Sequence, residues 1–159
     1  MVHRDGSRVT IYYTMVKCEN RPHISKNGGW LIMKTKSDLK YSKKHEWVRV
    51  EGSKAYVGIT DYAQDSLGEI VFVDLPSIGD SIEEGDALGA IESIKTASDV
   101  YSPVAGKVVE RNEELIDNPE KINNGPYESW IAVLETSDVA QLEVLMDEDD
   151  YVKFCTGGV

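Results

Sequence analysis

Cysteine and histidine are scarce in this sequence of 159 residues. The two cysteines, Cys18 and Cys155, stand near opposite ends of the chain and form no C-x-x-C pair. A disulfide framework or a cysteine-based zinc site is therefore not indicated, and the composition fits a reducing compartment. His3, His23 and His45 lack the spacing of metal ligands, so we expect no metal site.

Basic side chains and long apolar runs are also few. The chain holds 17 lysine and arginine residues against 28 aspartate and glutamate residues, which gives a formal net charge of −11. Such an acidic body repels phosphate backbones, so nucleic acid is not an expected partner. The charge suits either a solvated surface or encounters with basic protein surfaces. No window is long enough for a membrane span, so no membrane association is expected.

Sequence motifs of catalysis are absent as well. The chain contains no glycine-rich phosphate loop and no G-x-S-x-G motif. Carboxylates are plentiful, but no spacing identifies a pair for acid–base chemistry. We therefore do not expect an enzyme with an active site of its own.

The first 32 residues differ in composition from the rest. Residues 1–32 carry five basic and two acidic side chains and show no long period, whereas a sequence typical of a domain start opens at Met33. We expect residues 1–32 to be an extension outside the fold, from an upstream start or an added leader, with a cleaved transit peptide as the alternative. Residues 33–159 are then long enough for one domain.

Past Met33 the pattern is mostly that of β-strands. Short runs of alternating apolar and polar residues are separated by glycine and proline, which predicts an antiparallel sandwich or flattened barrel. The predicted strands are 45–50, 54–60, 69–75, 80–82, 86–93, 98–103, 106–111 and 129–136.

Two helices are predicted where a capping residue precedes a helical apolar pattern. The first covers 61–67 and is bounded by Thr60 and Gly68; the second covers 138–147 and follows Ser137. Shorter helical turns are expected at 119–122 and 149–154.

A lysine interrupts the β-pattern of the stretch "AIESIKTASDVYSP" (90–103). The alternating arms on its two sides predict a hairpin with Lys95 at the tip. From the pattern alone, Lys95 is either an ordinary solvated turn residue or an amine that an enzyme could acylate. The side chains beside it are small and leave the approach open: Ser93, Thr96, Ala97 and Ser98.

Several long motifs resemble one known family. They are "LKYSKKHEWV", "VGITDYAQDSLGEIVFVDLP", "GAIESIKTASDVYSPVAGKVVERN", "PEKINNGPYESW" and "YVKFC". In this order, from about residue 40 to residue 155, they resemble the H-protein family of the glycine cleavage system. The resemblance implies a mainly β, lipoyl/biotinyl-type hybrid sandwich with a short internal helix and C-terminal helices.

The resemblance also implies a covalent cofactor. Lys95 matches the lysine that carries lipoic acid in amide linkage in this family. Glu92 and Gly106 match positions associated with recognition by lipoylating enzymes. Ile94 and Thr96 stand where biotin carriers usually have methionine, which favours lipoate.

The implied function is that of a carrier protein rather than an enzyme. Lipoylated Lys95 would shuttle an aminomethyl group from glycine decarboxylase, a PLP enzyme, to a tetrahydrofolate-dependent aminomethyltransferase. Dihydrolipoamide dehydrogenase, an FAD enzyme, would then reoxidise the dithiol. A lipoate ligase or a lipoyl/octanoyltransferase would attach the cofactor, and the carrier would be a monomer.

Acidic residues near a surface cleft are implied to protect the loaded arm. They correspond to Glu46 and Asp99, where a carboxylate would raise the pKa of the amine and keep it protonated. His45 would shape the cleft wall, and Lys44 stands where some relatives carry a hydroxyl. Without the family role, Glu46 would be a solubilising charge on an edge strand and Asp99 a turn cap.

Two other functions stay open. The chain could relay octanoyl or lipoyl groups in lipoate metabolism, or it could be an unmodified β-sandwich interaction module in which Lys95 is a bystander. A start at Met33 favours the bacterial cytoplasm, and the mitochondrial matrix is the alternative.

Overall fold

The computed structural model describes residues 2–5, 8–11, 20–24, 30–136 and 138–156, with side chains from Lys34 onward except that of Val139. Within these residues the strands are β1 (Val2–Asp5), β2 (Arg8–Ile11), β3 (Asn20–Ile24), β4 (Trp30–Lys34), β5 (Lys40–Tyr41), β6 (Glu46–Glu51), β7 (Lys54–Ile59), β8 (Ile70–Asp74), β9 (Ser81–Ile82), β10 (Ala87–Ser93), β11 (Ala97–Tyr101), β12 (Gly106–Arg111) and β13 (Ala132–Glu135). The helices are α1 (Asp61–Leu67), α2 (Glu114–Asp117), α3 (Lys121–Asn124), a 3₁₀ helix (Val139–Val144) and α4 (Glu148–Cys155).

Two antiparallel sheets form the body of the protein. A six-stranded sheet has the order β5-β6-β7-β13-β12-β9, and a three-stranded sheet has the order β11-β10-β8. β1 pairs with β2, and β3 pairs with β4, as two separate ribbons. The mainly β, antiparallel architecture predicted from the alternating runs is confirmed, although the two sheets do not close into a barrel.

The main core lies between the two sheets. Alternation along each strand puts one set of side chains inward, and apolar residues of both sheets meet there. Members of this cluster include Val57, Val108 and Leu134 from the larger sheet and Val73, Ile91 and Val100 from the smaller one. A second, aromatic cluster lies beside it and contains Leu39, Tyr41, Trp47, Tyr127 and Tyr151.

Helix α1 has the predicted bounds. The Thr60 hydroxyl accepts a hydrogen bond from the Ala63 N–H at 3.2 Å, which caps the first turn. The helix ends at Gly68, whose φ of 80° lies in a region that side chains disfavour.

The prediction of one α-helix over 138–147 is wrong. The chain instead forms the short 3₁₀ helix, and α4 begins where Asp147 accepts a hydrogen bond from the Asp150 N–H. The interruption has a tertiary cause, because Tyr41 and Met146 exchange two backbone hydrogen bonds of 2.8 and 2.9 Å. This pairing holds the segment extended at Leu145. The predicted cap Ser137 lies outside the described residues.

Strand β4 crosses the predicted domain boundary at Met33. Its last residue, Lys34, donates a backbone hydrogen bond of 3.0 Å to Asp61 Oδ2 at the start of α1. That residues 1–32 form an extension outside the fold therefore stays a prediction. No helix within the described ranges is long and apolar enough to cross a membrane.

Candidate functional site

Lys95 lies at the tip of the β10–β11 hairpin, as its sequence context predicts. Glu92 pairs with Ala97, and the Ser93 N–H donates to the Thr96 carbonyl at 2.7 Å. The Ser93 hydroxyl accepts from the Thr96 N–H at 3.1 Å, which completes the turn. Lys95 is exposed at the apex, and its approach is open to solvent.

The stem of Lys95 passes over the end of α1. A Cβ at Gly68 would lie 3.2 Å from Lys95 Cε and 3.7 Å from Nζ, so only glycine leaves this path free. The tip is also tied to the helix end, since the Ile94 N–H donates to the Glu69 carbonyl at 3.0 Å. The arrangement fixes the root of the lysine while its amine stays accessible.

Asn123 holds this end of α1 in place. Its Nδ2 donates to the Gly68 carbonyl at 2.8 Å and to Gln64 Oε1 at 2.9 Å. Its Oδ1 accepts from the Ile70 N–H at 3.0 Å. One amide side chain therefore links the last turn of α1 to the first residue of β8.

A cleft of about 170 Å³ lies between α1 and the edge strand β11. Leu67, one of its lining residues, precedes Gly68, so the cleft extends to the helix end that supports the Lys95 stem. α1 has seven residues and is thus about 10 Å long. Other lining residues include Glu46, Tyr62, Ala63, Ser66 and Asp99.

Glu46 is a buried carboxylate in the wall of this cleft, with 2% of its surface exposed. Its Oε1 accepts from the Tyr101 N–H at 3.2 Å, and its Oε2 accepts from the Ser42 hydroxyl. Burial raises the pKa of Glu46, and the hydrogen bonds from Ser42 and Tyr101 partly oppose that rise. A solubilising charge would be exposed, so the burial argues against that alternative.

His45 occupies an unusual backbone position next to Glu46. Its φ of 67° lies in the left-handed region, and its ring stacks on Tyr62 with 4.4 Å between centroids. Nδ1 lies 2.8 Å from the Tyr151 hydroxyl, which also contacts the Thr60 hydroxyl at 2.7 Å. Burial lowers the pKa of His45, which favours the neutral form of the ring in the cleft wall.

Asp99 and Lys44 meet at the Tyr101 side chain. The Tyr101 hydroxyl donates to Asp99 Oδ2 at 3.4 Å, and Lys44 Nζ lies 3.8 Å from the centre of the Tyr101 ring. Asp99 lies within β11 and not in a turn, which argues against the turn-cap alternative. Lys44 also lines the cleft, so a cation is already present at its rim.

Glu92 and Gly106 lie in different sheets. Glu92 is exposed on β10, three residues before Lys95. Gly106 begins β12, where a Cβ would lie 2.6 Å from the Glu135 carbonyl oxygen. Close backbone approach therefore explains the glycine at 106, and a role of either residue in recognition stays a prediction.

Sequence reasoning missed Ser42 and the Tyr101 N–H, the two groups that bind the Glu46 carboxylate. Ser42 precedes Glu46 by four residues in a tight turn, in which the Ser42 N–H donates to the Glu46 carbonyl at 2.9 Å. The hydroxyl in "YSKKHE" could have been found as a local partner of the glutamate. The Tyr101 N–H carries no sequence signature.

Comparison with known proteins gives a consistent result. A family model described as "Glycine cleavage H-protein" matches residues 39–157. A "Glycine cleavage system H protein" from Coprothermobacter proteolyticus is 59% identical over 124 residues, which cover 77% of this chain and 98% of that protein. "Glycine cleavage system H protein 2, mitochondrial" from Arabidopsis thaliana is 55% identical over 119 residues, covering 74% of this chain and 76% of that protein.

A solved structure has the same fold. The crystal structure of a glycine cleavage system H protein from Mycobacterium marinum has a TM-score of 0.69 and 31% identity. The match covers 79% of this chain and all of the other. The predicted hybrid sandwich is thereby confirmed.

Proposed function

Because this chain belongs to the glycine cleavage H-protein family, we propose that it is a carrier protein with lipoic acid attached to Lys95. The observation that supports this most directly is the exposed Lys95 at a hairpin tip, rooted beside a cleft that contains the buried Glu46. The cofactor supplies a disulfide that takes up an aminomethyl group and later releases it.

The residues present fit this group. Amide formation needs an amine that an enzyme can approach, and within the described part of the chain no side chain binds the Lys95 ammonium. The small Ser93 and Thr96 turn leaves the apex uncrowded. A long flexible stem that starts over Gly68 can direct an attached arm either to solvent or along α1.

The cleft residues protect the cargo by controlling charge. A neutral aminomethyl nitrogen can use its lone pair to expel the sulfur, whereas a protonated nitrogen cannot. Glu46 and Asp99 stabilise a cation in the cleft and so raise the pKa of the amine. Burial strengthens this effect for Glu46, because a charge removed from water interacts more strongly with a neighbouring cation.

Lys44 works against this protection. Its ammonium lies at the rim of the cleft above Tyr101 and would repel a second cation there. A loaded arm therefore competes with Lys44 for the carboxylates, which limits how tightly the cargo is held. This balance suits a carrier that must also give up its cargo.

The proposed partners are those of the system that names the family. Glycine decarboxylase would supply the aminomethyl group, the tetrahydrofolate-dependent aminomethyltransferase would receive it, and dihydrolipoamide dehydrogenase would reoxidise the dithiol. The net charge of −11 favours partners with basic surfaces. We place the carrier in the bacterial cytoplasm, since most of the relatives named above are bacterial.

Intact mass spectrometry tests the proposal. Incubation with a lipoate ligase, ATP and lipoic acid should add one lipoyl group to the chain, and the Lys95→Arg variant should gain none. Equal labelling of that variant would refute the site.

Exchange of labelled bicarbonate into glycine, with glycine decarboxylase present, then tests the role in glycine cleavage. Exchange should depend on the lipoylated protein. Failure of exchange with a fully lipoylated chain would favour the relay of lipoyl groups instead.

A further inference from the structure

The outer surface of the three-stranded sheet has an unusual composition near Lys95. Two cross-strand rows point away from the core: Phe72–Glu92–Ala97 and Asp74–Ala90–Asp99. We call these six residues the hairpin face. Its apolar members are one large ring and two alanines, and its other members are three carboxylates.

Phe72 points outward by regular alternation with the buried Val73, and a β-bulge follows it on the side of Val71. The β8–β10 register shifts between Glu92 and Ser93, so that two consecutive residues of β8, Val71 and Phe72, are both half exposed. Strict alternation would have turned one of them inward. Phe72 keeps 50% of its surface exposed, and Ile94, directly before Lys95, keeps 69%.

We propose that Phe72 is the anchor by which the enzyme that attaches the cofactor docks on the hairpin face. The matching surface of that enzyme would hold an apolar pocket edged by basic side chains. This inference rests on the proposed function, because it presupposes that Lys95 is acylated.

The chemistry of attachment selects this partner among those that visit the carrier. The neutral Lys95 amine attacks the carbonyl carbon of an activated lipoyl group such as an acyl adenylate. A C–N bond forms, the adenylate leaves with its electron pair, and the nitrogen loses a proton. The enzyme must therefore cover the hairpin tip itself, whereas enzymes that act on the attached arm meet its distant sulfur end.

The composition of the face fits a single anchor. Ala90 and Ala97 are small, so Phe72 is the one large apolar side chain in the two rows, and it lies opposite Glu92. Aromatic side chains that enter a pocket often supply most of the binding energy of an interface. Glu92 opposite the ring, together with Asp74 and Asp99 in the neighbouring row, makes the face negatively charged. This charge favours a basic rim on the partner and rapid encounter at low salt.

The experiment compares lipoylation kinetics of the unlipoylated full chain and its variants. Phe72→Ala should reduce kcat/KM by roughly tenfold or more, mainly through KM, as expected for an interface anchor. Phe72→Leu should have a kcat/KM between those of Phe72→Ala and the parent, because leucine keeps part of the apolar volume. The control Ile116→Ala removes an apolar side chain that is 55% exposed but lies outside the face, and it should react like the parent.

A second pair of variants tests the face without changing Phe72. Ala97→Arg introduces a cation opposite Glu92 and should slow lipoylation, whereas Ala97→Gln, of similar length and neutral, should slow it less. Thermal unfolding of each variant should stay close to that of the parent, since both positions are exposed.

The outcomes separate the two proposals. If the parent chain is not lipoylated at all, the proposed function fails. If the parent is lipoylated and Phe72→Ala and Ala97→Arg react at its rate, only the docking inference is overturned. Once fully lipoylated and then reduced to the dithiol with a phosphine, Phe72→Ala should be reoxidised by dihydrolipoamide dehydrogenase at the parent's rate. An equal defect there would also overturn the assignment to the attaching enzyme.

Discussion

The two ends of the cleft hold their functional side chains in opposite ways. At the hairpin end, backbone hydrogen bonds shape the turn and Lys95 extends into solvent. At the other end, Glu46 is buried and its carboxylate is bound by Ser42 and the Tyr101 N–H. In the proposed function, attachment of a group to Lys95 needs access, whereas the attraction between the Glu46 carboxylate and a cationic cargo is stronger away from water, and the two environments fit these proposed tasks.

Among the variants that test the difference between the two ends, we expect the largest effect from removing both cleft carboxylates. Glu46→Ala combined with Asp99→Ala should shorten the lifetime of the loaded arm by roughly tenfold or more, because a fall of one unit in the amine's pKa frees about ten times more lone pair. Release of formaldehyde and ammonia from the loaded protein measures the lifetime. The double variant should still reach one lipoyl group per chain, at a lower rate because the hairpin face has lost the Asp99 charge. An unchanged lifetime of the loaded arm would contradict the protective role.

A smaller effect is expected at the hairpin end from Gly68→Ala. The new Cβ would lie 3.2 Å from Lys95 Cε at a φ of 80°, so the lysine stem must move. We expect a few-fold slower lipoylation, together with a loss of about 1–3 kcal/mol in the free energy of unfolding from backbone strain.

Gly79→Ala is the matched control for Gly68→Ala. Its φ is 96°, and a Cβ there meets no atom within 4 Å. Both variants should lose stability in urea unfolding, but only Gly68→Ala should be lipoylated more slowly. Equal lipoylation rates would show that the stem does not need this path.

Lys44→Met should lengthen the lifetime of the loaded arm by roughly two- to fivefold, which corresponds to loss of a charge–charge repulsion of about 0.5–1 kcal/mol at a partly exposed site. Methionine keeps much of the volume of the lysine stem but removes the competing charge. Lys44→Arg keeps the charge and should leave the lifetime near that of the parent. A shorter lifetime in Lys44→Met would mean that the lysine assists protection.

The smallest change is expected in the pH dependence of stability. Burial raises the pKa of Glu46 above its value in the unfolded chain, so the folded state favours the protonated acid. The contribution of Glu46 to stability is therefore full below the unfolded pKa and is lost as pH rises through the folded pKa. Urea unfolding over this window should show the parent losing stability relative to Glu46→Gln as pH rises; parallel curves would contradict the shift.

Local signals explain why part of this structure could be predicted. The cap Thr60 and the stop Gly68 define α1 within nine residues of sequence, and the hairpin around Lys95 depends on its own turn. The 3₁₀ helix departs from prediction because Tyr41, about a hundred residues earlier, pairs with Met146. Contacts of that range leave no periodic trace in the sequence.

Part of the candidate site could be predicted from sequence motifs, and part depends on contacts that form only in the fold. Lys95, Glu46 and Asp99 follow from motifs, and the structure brings Glu46 and Asp99 into one cleft. The exposure of Val71 beside Phe72 depends on a one-residue register shift against β10, which an alternating pattern does not reveal. The backbone N–H of Tyr101 could not be predicted as a partner of Glu46, because nearly every residue type carries the same group.

The clamp formed by Asn123 has a mechanical consequence. It joins α1 to β8 through hydrogen bonds with Gln64, Gly68 and Ile70, directly beneath the lysine stem. These hydrogen bonds restrain the backbone beside the lysine, so the lysine stem and an attached tether together supply the travel. The local concentration of its far end at the cleft is then set by tether length over a constant span, not by fluctuations of the scaffold.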